Sequence, residues 1–380
     1  MTETADVAII GGGISGCSIA YHLAKQGCKK IVVFEKGYLT SGTTGRCAGG
    51  IRQQFGTEVN CILGRESLRS FAGLEEELDF DIEFYQGGYL LLAYTEKEYT
   101  QFQKNVLLQQ RLGIDARFIS AAEAREIVPA LNPEGILGAT FCPSDGQANP
   151  FKSTFAYAQA ARRMGVEVLT STQVRGIETR KAKIHAVVTN RGKWLTPVVV
   201  NAAGPHSAEI GKMVGVELPV YSKRQQFMAT EPVEEMCKLF VIAFSRQVSF
   251  IQTPHGGILM GGGDPNEPPS FNLNSSWQYP VGFAKKVTRM MPVLKNVRIV
   301  RQWSGLYNIT PDAQPIYGPH PSVGGFFLAA GFSGHGFMLG PVTGKLTAEW
   351  ILKGKPSLPV SGLDAGRFER GEWIPEPSVI

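Results

Sequence analysis

The pattern of apolar and polar positions is sharpest at the start of the chain. Residues 6–10 (DVAII) read as a short buried strand, and residues 17–25 as a helix with Ile19, Ala20, Leu23 and Ala24 on one face. A second apolar run, Ile31–Phe34, completes a strand–helix–strand unit. Further on, helical spacing predicts helices over 57–78, 96–112, 121–127 and 151–164. Shorter runs predict strands over 88–93, 167–171, 173–177, 184–188 and 198–201, with 167–171 returning to the first sheet. Between 220 and 301 the character changes to β-like runs (247–253, 257–260, 297–300), a proline-rich turn at 265–269 and one helix near 277–291. A last strand, Phe326–Ala330, and a last helix, 342–352, follow. Residues 351–380 hold four prolines and little periodicity, which makes them a tail or a docking strap. There is no internal repeat and no low-complexity tract.

This order predicts an α/β fold, α+β overall. A Rossmann-like nucleotide-binding domain is assembled from 1–80, 151–215 and 310–355. An antiparallel-sheet substrate domain, 81–150 and 216–309, is inserted into it, and 356–380 form the tail. A chain of 380 residues is long enough for about two such cores.

The link between the first strand and helix carries the first chemistry. Gly11–Gly16 (GGGISG) is a G-x-G-x-x-G turn, and Glu35 ends the second strand. Gly11 allows a tight turn, Gly13 lets backbone approach a pyrophosphate, and Gly16 lets helix and strand pack closely. The helix start, with Ile14 and Ser15, offers free N–H groups and a partial positive charge. Glu35 stands where an acid accepts hydrogen bonds from an adenosine ribose. The loop that follows, 36–56, contains six glycines and four serines and threonines, which argues for close approach of backbone to a ligand.

Composition narrows the classes. The sequence is 43% hydrophobic and 19% charged, with scattered lysines and arginines and a net charge of +5, which speaks against nucleic-acid binding. No apolar run approaches the roughly 20 residues of a membrane span, and the start runs straight into a strand, leaving no room for a signal peptide. A cytoplasmic layout is expected. The six cysteines show no metal-like spacing, so no metal site is expected.

A second glycine loop, 331–341 (GFSGHGFMLGP), lies between a strand and a helix at the far end of the sequence. A nicotinamide enzyme has less need of it. FAD does need it, because its isoalloxazine ring lies far from the adenosine and requires its own backbone donors. The N-terminus of the last helix can supply N–H groups and a positive dipole to the N1–C2=O end of that ring.

With these motifs the chain resembles the glycine/D-amino-acid oxidase superfamily of FAD-dependent amine oxidoreductases. It is most similar to the beta subunits of heteromeric sarcosine oxidases and dye-linked L-proline dehydrogenases. The matching stretches are 6–35, 41–55, 201–207 (NAAGPHS), 302–318 (QWSGLYNITPDAQPIYG) and 331–340. The resemblance implies that Lys36, Thr43, Thr44, Arg46, Ala48, Gly49 and Gly50 pass the pyrophosphate and ring face. It implies that Val174 meets the adenine through its backbone and that Ala203 and Gly204 cross near the pyrophosphate. Gly334, His335, Gly336, Phe337 and Met338 would hold the pyrimidine end of the flavin. Arg52 matches an arginine that pairs with a substrate carboxylate, and Tyr307 a tyrosine over the substrate pocket.

Departures from the family pattern matter as much. There is no cysteine after Cys237, Arg46 replaces a flavin-linking histidine, and 142–151 contains no histidine. The resemblance therefore implies a non-covalent FAD. Met260 is matched to the lysine that activates oxygen in monomeric sarcosine oxidases, and Met338 to a substrate-binding lysine. These losses point to a dehydrogenase passing electrons to a dye-type acceptor or to a partner subunit with a second flavin or an iron–sulfur centre. An FMN shared at that interface belongs to the same picture. The expected reaction is oxidation of the C–N bond of a secondary or N-substituted amino acid (proline, sarcosine, hydroxyproline or opine type) by hydride transfer to flavin N5. The alternatives are an oxygen-reducing oxidase and a non-catalytic FAD-holding subunit. Plainer readings stand beside these roles: Arg52 as a structural ion-pair arginine, Tyr307 as a core aromatic, and His335 as a ring packed near the flavin rather than a base.

Overall fold

The structure is a computed structural model and describes residues 2–378. Three parallel strands set its architecture. Val7–Ile10, Val199–Asn201 and Phe326–Ala330 lie side by side in a six-stranded sheet. Ile31–Phe34 and Glu167–Leu169 continue it on one side, and Ile316–Pro319 closes the other edge antiparallel. The three central strands are almost wholly buried, as parallel strands covered on both faces must be. Because they run the same way, their carboxyl ends reach one edge together, with the first and third only about 10 Å apart at ordinary strand spacing. Two glycine loops that are over 300 residues apart in sequence thus become neighbours.

Helix Ile14–Lys25 leaves that edge and packs against helices Gly340–Lys353 and Pro150–Arg163. The approach is close because glycines sit at the crossing. A Cβ on Gly344 would lie 2.1 Å from the Ser18 hydroxyl oxygen, and one on Gly340 would lie 2.5 Å from Ile14 Cγ1. Gly16 does the same towards the sheet, since a Cβ there would lie 1.9 Å from the Gly11 carbonyl oxygen.

An eight-stranded sheet draws strands from 81–150 and 216–309 alike. Its order is Ile299–Ile309, Tyr221–Pro232, Gly257–Gly263, Val248–Gln252, Phe240–Ala243, Tyr89–Ala93, Gly138–Cys142, Arg117–Ile119. The two stretches meet where Phe240–Ala243 lies beside Tyr89–Ala93, and that pair is parallel, so the sheet is mixed rather than purely antiparallel. The long strand Tyr221–Pro232 is not predicted by periodicity. Its polar run, KRQQ, looks exposed, but Gln225 and Gln226 are buried. The Gln226 side-chain oxygen accepts from the Ser276 backbone N–H at 2.8 Å, a partner 50 residues away. A four-stranded sheet adds Thr2–Thr4 as an edge strand, so the chain does not run directly into the first central strand. The stretch 361–378 docks. Arg367, with no exposed side-chain surface, pairs with Asp312 at 2.8 Å. Among the described residues no helix is long and apolar enough to cross a membrane, and no cluster of metal-ligating side chains occurs.

The glycine crossing gives a direct test. Gly344→Ala pushes helix Gly340–Lys353 away from Ser18 and is expected to cost roughly 1–3 kcal/mol of stability. A lowered denaturant midpoint at unchanged slope would record it.

Candidate active site

The first turn is built for close backbone approach. Gly11 has φ +118°, and a Cβ there would lie 2.3 Å from the Ala202 carbonyl oxygen, so only glycine fits. A Cβ on Gly13 would lie 2.9 Å from Thr44 Oγ1, which itself accepts from the Ile14 N–H at 3.2 Å. Gly13 itself has no side chain to cap the helix, so beyond the one N–H taken by Thr44 its positive end faces the cleft. Glu35, nearly buried, accepts from the Gly12 and Gly37 N–H groups at 2.8 and 2.7 Å and from the Ser41 hydroxyl at 3.0 Å. These bonds fix its carboxylate where the strand ends.

Two adjoining cavities run from this turn. The larger has about 1510 Å³ of empty space, mouth included, and the other about 1100 Å³. Gly11, Glu35, Thr43, Arg46 and Ala203 line both, so together they form one long cleft. Lys36 and Val174 line the smaller end. Gly13, Ile14, Ser15, Thr44, Ala48, Gly49, Gly50 and Gly204 line the larger. Gly16 lines neither and serves the helix–strand packing alone. His206, given no role by the sequence, also faces the smaller end, with its Nε2 2.7 Å from Lys36 Nζ. Its ring stacks on Phe271 at 4.8 Å, so a loop of the eight-stranded sheet reaches over this end.

The second glycine loop forms the far wall. Gly334 has φ +96°, and a Cβ there would meet the Tyr307 ring at 2.5 Å, so tyrosine and loop are fitted to each other. The N–H groups of Gly336, Phe337 and Met338 have no acceptor among the described hydrogen bonds and lie in the cleft wall. Asn308 shapes the loop by accepting from the Phe332 N–H at 2.5 Å through its side chain and from the Ser333 N–H at 2.9 Å through its backbone. His335 is buried, and neither ring nitrogen has a partner. Burial, reinforced by the charge of Arg52, pushes its pKa down to about 3. A role as general base at neutral pH does not fit that environment. Tyr307 is likewise held in its neutral form, its pKa pushed up to about 12 by burial.

Arg52 closes the cleft between these walls. It is 4% exposed, lines the larger cavity, and has no carboxylate within ion-pair reach among the described residues. Its guanidinium donates to the backbone carbonyls of Gln54 and Ser378 and lies 4.2 Å from the Phe55 ring centroid. The reading of Arg52 as a structural ion-pair arginine does not fit this setting. Beside it stand Tyr89 and Phe240, stacked at 4.7 Å, with Phe227, Ile242 and Phe244. Sequence pattern does not reveal this apolar wall. Alternation along a strand shows which residues share a face but not which face meets a ligand.

Met260 is displaced from its expected place. It packs with Phe250, Met228 and Ile258 in the core behind the eight-stranded sheet and does not line the cleft. Its neighbour Gly261, directly opposite Phe227, belongs to the cleft-facing register. Adjacent strand residues point to opposite faces, so a one-residue offset reverses the side. The conclusion that this wall lacks a lysine still holds. Among the described residues Arg46 and Arg52 are the only cations lining the larger cavity. Cys47 also lines it, and burial pushes its thiol up to about 12.

Comparison with known proteins agrees with this geometry. Residues 6–350 match the family described as FAD dependent oxidoreductase (DAO). Sarcosine oxidase subunit beta of Rhodobacter capsulatus is 29% identical over 98% of this chain and 90% of its own length. Human mitochondrial sarcosine dehydrogenase is 29% identical over the whole chain, which spans only 43% of that larger protein. The crystal structure of L-proline dehydrogenase from P. horikoshii superposes with a TM-score of 0.94 at 38% identity, covering 98% of this chain and all of that one. The chain belongs to the FAD dependent oxidoreductase family.

The cleft's open glycine turns, orphaned His335 nitrogens and free N–H groups fit a dinucleotide carrying a polar ring at its far end. The buried histidine also makes a pH prediction. Its folded pKa of about 3 lies below the ordinary 6.5. The unfolded chain therefore takes up a proton below about pH 6.5 that the folded protein refuses, and stability falls as pH falls through that window. His335→Asn should remove up to about 1.4 kcal/mol per pH unit of that slope. Urea midpoints measured from pH 6.5 down to 4 would reveal the difference.

Proposed function

We propose that the cleft binds FAD without a covalent link, and that the protein uses it to oxidise the C–N bond of a secondary or N-substituted amino acid. Proline, sarcosine, hydroxyproline and opines are the candidate classes. One observation carries this reading. A buried arginine with no carboxylate partner among the described residues, Arg52, faces an apolar recess bounded by Tyr89, Phe227, Phe240 and Tyr307. A buried guanidinium in such a place is completed by a ligand carboxylate, best held bidentately.

When bound, FAD supplies a two-electron acceptor, N5, for the hydride on the carbon beside the amine nitrogen. The chain's own residues do the rest. Gly11, Gly13 and the start of helix Ile14–Lys25 receive the pyrophosphate, Glu35 the adenosine ribose, and Val174 the adenine. The N–H groups of Gly336–Met338 offer their donors to the pyrimidine edge, where negative charge builds on reduction. Arg52 anchors the carboxylate. Tyr307 and the aromatic wall exclude water and hold the amine-bearing carbon in position. The amine must enter neutral, and the low-polarity recess favours that form.

Among the described residues no lysine lines the larger cavity, which favours a dehydrogenase that hands electrons to a partner subunit carrying a second flavin, such as FMN, or an iron–sulfur centre. An oxidase using oxygen and a non-catalytic FAD-holding subunit are the competing readings. Anaerobic addition of L-proline, sarcosine, hydroxyproline or an opine to the yellow protein separates all three. Bleaching without rapid peroxide formation in air is expected. Prompt peroxide would make the protein an oxidase, and no bleaching by any of them would leave the FAD structural. Arg52→Lys should raise KM roughly 100-fold, within the 2–5 kcal/mol cost of breaking a buried charge pair. FAD content should stay unchanged, which steady-state kinetics beside absorbance at the flavin band would verify.

A further inference from the structure

Arg52 is held in place from an unexpected direction. One of its two carbonyl partners, Ser378, lies 326 positions away in the sequence. Ser378 is itself 1% exposed, and its hydroxyl accepts from Asn105 Nδ2 at 3.0 Å. Two residues earlier, Glu376 is buried at the start of helix Glu58–Leu78. That helix has no side-chain cap of its own at Thr57. Glu376 provides one, accepting from the Gly56 N–H at 2.8 Å, the Thr57 hydroxyl at 2.7 Å and Asn60 Nδ2 at 2.9 Å. A carboxylate there also meets the positive end of the helix dipole. Pro377 lies flat on Gly56, where a Cβ would come within 2.3 Å of its Cγ. The approach to this point is anchored at Asp312, whose carbonyl accepts from the Glu376 N–H at 3.0 Å and whose carboxylate pairs with the buried Arg367. Asp312 closely follows the strand that carries Tyr307.

We propose that residues 371–378 form a strap, latched by Glu376, that positions the Arg52 guanidinium and so sets the affinity for the substrate's carboxylate. This rests on the carboxylate-binding role given to Arg52 above. The physical reason is geometric. Gln54, two residues along the same loop, fixes one end of the guanidinium, and Ser378 fixes the other. With both ends tied, the guanidinium waits in one orientation, and little ordering is left for the ligand to impose. Glu376 touches neither ligand nor flavin site and is therefore a positioning residue. Fixing the arginine through backbone carbonyls, with no competing carboxylate among the described residues, keeps its charge available to the ligand.

The test uses the FAD-loaded protein and a ligand pair of the same ring, charged pyrrole-2-carboxylate and neutral pyrrole-2-carboxamide, each titrated by perturbation of the flavin absorbance. The strap is loosened from both sides, by Glu376→Ala and by Gly56→Ala, and Glu376→Gln keeps an oxygen acceptor at the latch. In the parent protein the carboxylate should bind more tightly than the carboxamide. Both loosened variants should lose roughly tenfold in affinity for the carboxylate, as expected for a misplaced anchoring group. They should bind the carboxamide unchanged, and Glu376→Gln should recover part of the loss. Equal weakening of both ligands, or full carboxylate affinity in both loosened variants, would overturn the strap. A parent protein that does not prefer the carboxylate, or an Arg52→Met variant that keeps the preference, would instead sink the role of Arg52 itself.

Discussion

Everything in this molecule depends on how closely two helices and three strands approach at one edge. Gly344 and Gly340 let the last long helix lie against Ser18 and Ile14, and Gly16 lets the first helix lie against the Gly11 turn. A single methyl at any of these positions would meet an atom at 2.5 Å or less. Close-packed interiors have no slack to absorb that. The crossing brings the start of the first helix and the free N–H groups of Gly336–Met338, just before the last long helix, to the same cleft. The cleft is therefore a by-product of packing as much as a designed pocket.

On that frame the chemistry divides by wall. The parallel sheet supplies backbone: glycine turns, free N–H groups and one well-anchored carboxylate, Glu35. The eight-stranded sheet supplies side chains: Tyr89, Phe227, Phe240 and Tyr307. Arg52 belongs to neither wall. It lies in the loop between them, and its orientation is fixed by carbonyls from Gln54 and from the distant Ser378. Burial pushes three groups that line the larger cavity towards their neutral forms: His335 down, Tyr307 and Cys47 up. Neutral groups of this kind beside the Arg52 guanidinium suit hydride removal from a neutral amine better than proton relay.

Local pattern makes several elements legible. The helix Ala121–Ile127 and the strands Ile31–Phe34 and Phe326–Ala330 have the limits that periodicity predicts, because each is bounded by a clear change of pattern. The long strand Tyr221–Pro232 is hidden from such a reading because its buried Gln226 is satisfied by a partner far along the chain. Met260 falls on the opposite face from the one expected because a strand's two faces differ by one residue, and only the sheet's neighbours say which is which.

Backbone chemistry is written locally in this chain. Gly11, Gly13 and Gly16 before a helix, with Glu35 at the next strand end, prescribe a nucleotide cradle through local geometry alone. A second glycine loop before the last helix asks for another group at a distance. The substrate end, by contrast, exists only once the chain has folded. The apolar wall, the buried state of His335 and the carbonyl that steadies Arg52 come from segments tens to hundreds of residues apart. Their meeting depends on sheet order and helix packing, and no local pattern encodes either.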